Sequence, residues 1–219
     1  MSKIEQFKIN VLNEYEKIHG PHNIVGDETD MKFHGTQRPW EFFRAWEVIE
    51  KYLPDTDEVS FLEIGAAKGL WSIAFIEMCK LYNKKPVYVT VSMLTGSSLF
   101  SSDLSWNPTL LNVKKYYEGQ YSEWVLFDRN SQTEESKDLV IGIRPKYDFV
   151  FIDADHTYNG VFNDTKLYSP LAKSLLIYHD IGPPYEGSVV RAIKDSGIEL
   201  HHKIMAPNTG EGIGIHLKD

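Results

Sequence analysis

Phe61-Leu-Glu-Ile-Gly-Ala-Ala-Lys-Gly69 is the stretch that decides the fold. An apolar run closes on an acid and then on two glycines four residues apart. That order predicts a buried strand from Val59 to Ile64, a tight turn, and a helix from Gly69 to about Tyr82. Glycine lets a backbone approach a ligand where any Cβ would collide. A helix beginning there offers first-turn N–H groups that have no intrahelical partner. Glu63 would repel a pyrophosphate, so the turn suits a cationic or hydroxyl-bearing ligand better than a dinucleotide. The spacing also lacks the Gly-x-Gly-x-x-Gly pattern of a pyrophosphate turn, which places a nicotinamide-dependent dehydrogenase third among the readings.

Outward from this stretch, strand and helix alternate. Pro86 to Met93 reads as a strand, Tyr147 to Ile152 as a fully buried one, and Ser174 to Tyr178 as another. Helices are predicted at Asn159 to Tyr168 and Gly187 to Ser196. Asn112 to Tyr117 reads as a short strand, Tyr121 to Phe127 as a short helix, and Asp128 to Lys137 as loop. Thr95 to Pro108, carrying Trp106, is a long aperiodic stretch and a candidate lid. Leu200 to Met205 and Gly212 to Leu217 look like two strands of a hairpin, which would make the last strand antiparallel. Such alternation means an α/β fold, a doubly wound parallel sheet with helices on both faces. Ahead of it, Ser2-Lys-Ile-Glu5 resembles a capping box and opens one amphipathic helix, and Pro39 opens a second. The expected organisation is a helical N-terminal extension over residues 1–54 and one α/β domain over 55–219.

Bulk properties narrow the partners. A formal charge of -8 argues against a phosphate-backbone partner and so against nucleic acid. No apolar run approaches the roughly 20 residues that span a bilayer. A cytoplasmic protein is the expectation, with homo-oligomerisation left open. The single cysteine, Cys79, falls on an apolar helix face and reads as a small core residue. The aromatic run Trp40, Phe42, Phe43 and Trp46 likewise reads as core.

In open α/β sheets ligands bind beyond the carboxyl ends of the strands, where strand order reverses. The residues that finish the strands are therefore candidates: Glu63-Ile-Gly65, Ser92, Asp153-Ala-Asp-His156 and His179-Asp180. Neighbouring strands lie about 5 Å apart, so Asp153 and Asp180 can share one cation, with His179 or water completing the set. The bland reading is a helix N-cap, which Asp153 or Asp155 would serve equally well.

With these residues assembled, a resemblance emerges. Glu63-Ile-Gly-Ala-Ala-Lys-Gly69 resembles the first motif of class I S-adenosylmethionine-dependent methyltransferases. Asp148-Phe-Val-Phe-Ile-Asp-Ala-Asp-His-Thr-Tyr158, with Asp164, Leu167, Pro170-Leu171 and His179-Asp180, is similar to the branch that holds cephalosporin-hydroxylase-like and macrolide-sugar O-methyltransferases. The resemblance implies a Rossmann-like seven-stranded sheet whose last strand is antiparallel. It also implies Glu63, Gly65, Ala66 and Gly69 at the methionine and ribose end of S-adenosylmethionine. Ser92 would face the ribose, and Gly119 and Ser122 the adenine. Asp153, His179 and Asp180 would hold a divalent metal, magnesium or manganese, with zinc or iron as further options. His156 would be the general base. Three departures from the pattern stand out: Ser92 ends the second strand where relatives carry an acid, Lys173-Ser174 replaces a glycine pair and Gln120 replaces the usual aspartate, while His179 stands where relatives often have a carboxylate. The implied activity is O-methylation of a small hydroxylated molecule or sugar. The alternative is a binding protein that keeps the fold and has lost methyl transfer.

Overall fold

The structure is a computed structural model that describes residues 1–20, 39–67, 69–93, 106–118, 123–205 and 211–218. The elements in chain order are α1 (Lys3–His19), α2 (Pro39–Ile49), β1 (Glu58–Ile64), α3 (Leu70–Leu81), β2 (Lys85–Val91), α4 (Trp106–Tyr117) and β3 (Glu123–Phe127). They continue with α5 (Glu134–Ile143), β4 (Tyr147–Ile152), α6 (Tyr158–Tyr168), β5 (Ala172–Tyr178), α7 (Arg191–Asp195), β6 (His202–Met205) and β7 (Gly212–Leu217). The strands form one sheet in the order β3-β2-β1-β4-β5-β7-β6, and only β7 runs antiparallel to its neighbours. Strand order reverses between β1 and β4. The crevice where an α/β sheet takes its ligand therefore opens at Ile64 and Ile152.

Period-two alternation in the strands builds two cores. Phe61, Tyr88, Phe149 and Phe151 face one way and pack with α1, α2, α3 and α4. Leu62, Val89, Val150 and Ile152 face the other way and pack with α5, α6 and α7. The first core is aromatic: Trp46, Phe61 and Trp71 lie within 5.8–6.4 Å of one another, centroid to centroid. Phe42, Phe43 and Trp46 belong to it, as their spacing suggests, and so does Cys79, whose thiol burial pushes up. Phe7, Val11 and Tyr15 bury α1 against the same cluster, so the N-terminal helices share the domain's core. The capping box holds as read, with Glu5 N–H donating to Ser2 Oγ at 3.2 Å and Ser2 N–H to Glu5 Oε2 at 2.7 Å.

Two segments are the reverse of the sequence reading. Asn112 to Tyr117 is the end of helix α4, where Leu110, Val113 and Tyr117 recur at helical spacing and are buried. Residues 123–127, read as helix, form the edge strand β3, half-covered on both faces and so lacking a clean alternation. Asp128 to Lys137 is only partly loop. Thr133 caps α5, its Oγ1 accepting from Ser136 N–H at 3.2 Å, and Glu134 and Glu135 occupy the first turn, where the helix dipole favours acids. Of the candidate lid, 106–108 begin α4 and the rest lies outside the described residues. No helix among the described residues is long and apolar enough to cross a membrane.

Candidate active site

The strand ends are stitched together past the ladders. Gly65 N–H donates to Val91 O at 2.9 Å, Asp153 N–H to Ile64 O at 2.8 Å, and Ser92 N–H to Phe127 O at 3.0 Å. The glycine turn and Asp153 therefore stand side by side at the mouth. Gly65, at φ +85°, is required by the protein's own chain: a Cβ there would sit 2.3 Å from Asp153 O and 2.6 Å from Ala154 Cα. Gly69, at φ +79°, is the N-cap of α3, where a Cβ would press Leu110 and Val113 at 3.1–3.2 Å. Gly69 makes no side-chain cap bond to α3, an arrangement that suits its first-turn N–H groups to a ligand or to water.

Glu63 lies beneath this turn. Its carboxylate is 1% exposed and accepts from Tyr88 Oη at 2.7 Å and Ser72 Oγ at 3.3 Å. Burial pushes it up to about 8 against those two hydrogen bonds, and the nearby charge of Asp153 adds to the rise. Ser92 Oγ reaches the turn from the side, accepting from Ala66 N–H at 3.5 Å.

Four side chains from the β4 and β5 ends close a ring of alternating sign. His156 Nε2 lies 3.2 Å from Asp153 Oδ1 and its Nδ1 3.1 Å from Asp180 Oδ2. His179 Nδ1 lies 3.4 Å from Asp153 Oδ1 and 3.5 Å from Asp180 Oδ1. Burial disfavours charge on Asp153, His156 and His179, yet the mutual attraction wins. Asp153 is held well below the usual carboxylate range, His156 is raised, and His179 is raised well above a free imidazole. Asp153, His156 and Asp180 each offer one ligand atom, and these atoms lie within 4.8 Å of one another. Asp180 sits at φ +57°, the left-handed region that aspartate tolerates better than most residues. Tyr185 stands edge-on to His156, with ring centroids 5.6 Å apart.

The neighbouring acid does other work. Asp155 Oδ1 accepts from Thr157 N–H at 2.8 Å and Oδ2 from Gln132 Nε2 at 3.0 Å, while Thr157 itself caps α6. Of the two aspartates left open by the sequence, Asp155 is the one that shapes the loop, and Asp153 joins the ring. Lys173, in place of a glycine, pairs with Asp148 at 3.1 Å, and Asp148 in turn accepts from Ser60 N–H at 2.7 Å, tying β5 and β4 to β1. Gly119 and Ser122 lie outside the described residues. Two elements were missed. The loop leaving β3 at Asp128 reaches the same edge, and reading Trp124-Val-Leu-Phe127 as strand would have pointed to it. Glu41 of α2 also reaches the ring, with Oε2 3.6 Å from His179 Nε2, and no sequence signal marked it.

With this geometry in hand, comparison with known proteins is informative. A family model described as a methyltransferase domain matches residues 62–181, from β1 to the loop after β5. No curated protein matches the sequence. Among solved structures, the chain is similar to CalS11, a TDP-rhamnose 3'-O-methyltransferase of calicheamicin biosynthesis. The TM-score is 0.60 at 12% identity, over 95% of this chain and 93% of that one. It is equally similar to the O-methyltransferase NovP, with TM-score 0.60 at 12% identity over 98% and 97%. The MycE methyltransferase of mycinamycin biosynthesis, in complex with Mg and SAH, gives TM-score 0.53 at 12% identity over 94% of this chain and 54% of that one. At such identities the likeness is one of fold.

Proposed function

The chain belongs to the methyltransferase-domain family, and from that premise we propose that it moves a methyl group from S-adenosylmethionine to a hydroxyl of a small molecule or sugar, with a divalent cation assisting. The observation that carries this reading is the contact of Gly65 with the Asp153–Ala154 backbone, which puts the glycine turn and the acid–imidazole ring in one crevice.

The residues fit both groups. The uncapped start of α3 suits the carboxylate of the cofactor's methionine, with Gly65, Ala66 and Gly69 shaping the turn and Glu63 bracing it from below. Ser92, Gly119 and Ser122 are the proposed contacts to ribose and adenine, and the loop after β3 is a further candidate for the adenine end. Asp153, Asp180 and an imidazole from His156 or His179 make a mixed oxygen and nitrogen set. Such a set suits manganese, zinc or iron better than magnesium. When bound, the cofactor supplies an electrophilic methyl group and the cation a charge that favours an ionised alcohol.

The chain's own residues do the rest. Asp153 and Asp180 fix the site's negative charge beside the glycine turn. His156, 40% exposed along its side chain, is the ring member open to an incoming acceptor. Both of its nitrogens face carboxylates; with a cation engaging those carboxylates the ring would be neutral, and its unprotonated nitrogen would turn to the hydroxyl and take the acceptor's proton. Tyr185 offers an aromatic wall beside it.

Calorimetric titration with S-adenosylmethionine, followed by transfer of its labelled methyl group into a panel of hydroxylated small molecules, tests this reading. Saturable binding with label in an alcohol is expected. Absence of binding would leave the scaffold reading. That reading draws on Ser92 and Lys173, but the Lys173–Asp148 pair already gives Lys173 a structural reason.

A further inference from the structure

We propose that Glu41, on helix α2 and outside the matched family segment, is a positioning residue that holds His179 Nε2 and so aims His179 Nδ1 into the gap between Asp153 and Asp180. The proposal rests on the metal-assisted reading above and adds to it a residue from the N-terminal helices.

The geometry carries it. Glu41 lies in the first turn of α2, 1% exposed, with Oε2 3.6 Å from His179 Nε2. His179 is itself 6% exposed, and its other nitrogen is shared between the two aspartates at 3.4 and 3.5 Å. An imidazole has two nitrogens, and the hydrogen bond made by one decides what the other offers. Glu41 Oε2, at an ion-pair distance of 3.6 Å, favours the proton on Nε2, which leaves Nδ1 to present its lone pair to a cation. The carboxylate also raises the ring's basicity as a ligand. Helix α2 packs on β6 and β7, and β7 adjoins β5, so the placement of Glu41 is fixed by the sheet's antiparallel end. The last strands thus have a task at the site: they carry the helix that sets His179.

The test compares the wild-type protein with Glu41→Gln, which keeps shape and removes charge. Mn2+ titration by calorimetry is expected to show about tenfold weaker binding in the variant. In the metal-free proteins, the ring nitrogen resonances of His179 should differ between the two, while backbone amide signals away from α2 and β5 coincide. Equal Mn2+ affinity together with unchanged His179 nitrogens overturns the proposal. If the wild type binds no Mn2+, the metal-assisted reading falls, and the His179 resonances alone decide the role of Glu41. Should Glu41→Gln prove unfolded, Glu41→Asp carries the same two measurements. The shorter side chain draws the carboxylate back from Nε2, so weaker Mn2+ binding with a shifted His179 signal would count for the proposal, whereas both unchanged with the fold intact would count against it.

Discussion

The two halves of the crevice are built from different materials. At the end of β1 the working groups are backbone: a turn with positive φ at Gly65, Ala67 and Gly69, and a helix start without a side-chain cap. At the ends of β4 and β5 they are charged side chains locked in a ring. A site made of backbone tolerates changes of side chain as long as the dihedral angles survive. A site made of paired charges tolerates changes of shape poorly, because removing one member strands another in a buried place. The two halves should therefore fail in different ways when altered.

The largest expected effect is in the charged half. Asp153→Ala should lower turnover by about a thousandfold while calorimetry still detects S-adenosylmethionine. Full activity in that variant would remove Asp153 from the chemistry, and loss of cofactor binding would mean the halves are not separable. The next is in the backbone half. Gly65→Ala should cost roughly 3 kcal/mol in denaturant unfolding, since its Cβ meets Asp153 O at 2.3 Å and its φ is +85°. Gly69→Ala, which meets only side chains, should cost about half as much.

A pH series separates the halves again. Glu63 holds a proton in the folded chain up to about 8, whereas in the unfolded chain it releases that proton near 4.5. Its contribution to stability is therefore full below 4.5 and lost as pH rises toward 8. The raised imidazoles of His156 and His179 slope the same way, present below 6.5 and fading as pH climbs through their folded values. Glu63→Gln isolates the first slope: its melting temperature should match the wild type near pH 5 and exceed it by roughly 3–6 °C above pH 8. A constant difference across that range would show that Glu63 is not buried as a neutral acid. The smallest effect is expected at Ser92→Ala. Its contact to Ala66 N–H is long at 3.5 Å, so unfolding should shift by less than about 0.5 kcal/mol. The cofactor affinity of that variant then reports on Ser92 as a ligand contact alone.

Much of this was legible in the residues. The strand ends that matter, Glu63-Ile-Gly65, Asp153 and His179-Asp180, could be found because fully buried parallel strands leave continuous apolar runs that stop abruptly. The reversal around α4 and β3 arose where burial is partial. Edge strand β3 is half-covered along its length after Glu123, and its run of Trp124-Val-Leu-Phe127 carries no period to separate strand from helix. Gly65 has a second reason that the sequence could not show. A glycine needed for close approach looks the same in sequence whether the approaching atoms belong to a ligand or to the chain itself, and here Asp153 and Ala154 already require it. Glu41 was invisible because its meaning depends on a partner 138 positions away, across a sheet whose pairing no local pattern states.

The left-handed backbone at Asp180 has a practical reach for anyone mapping this crevice by mutagenesis. Alanine scanning at that position would report dihedral strain and missing charge as one number. In a library randomised at this codon and sorted for folded protein alone, asparagine and glycine should rise together with the parent residue, and β-branched residues should vanish. Sorting the same library for activity should then keep the acid and discard both of its conformational stand-ins, so that two rounds of selection resolve geometry from chemistry.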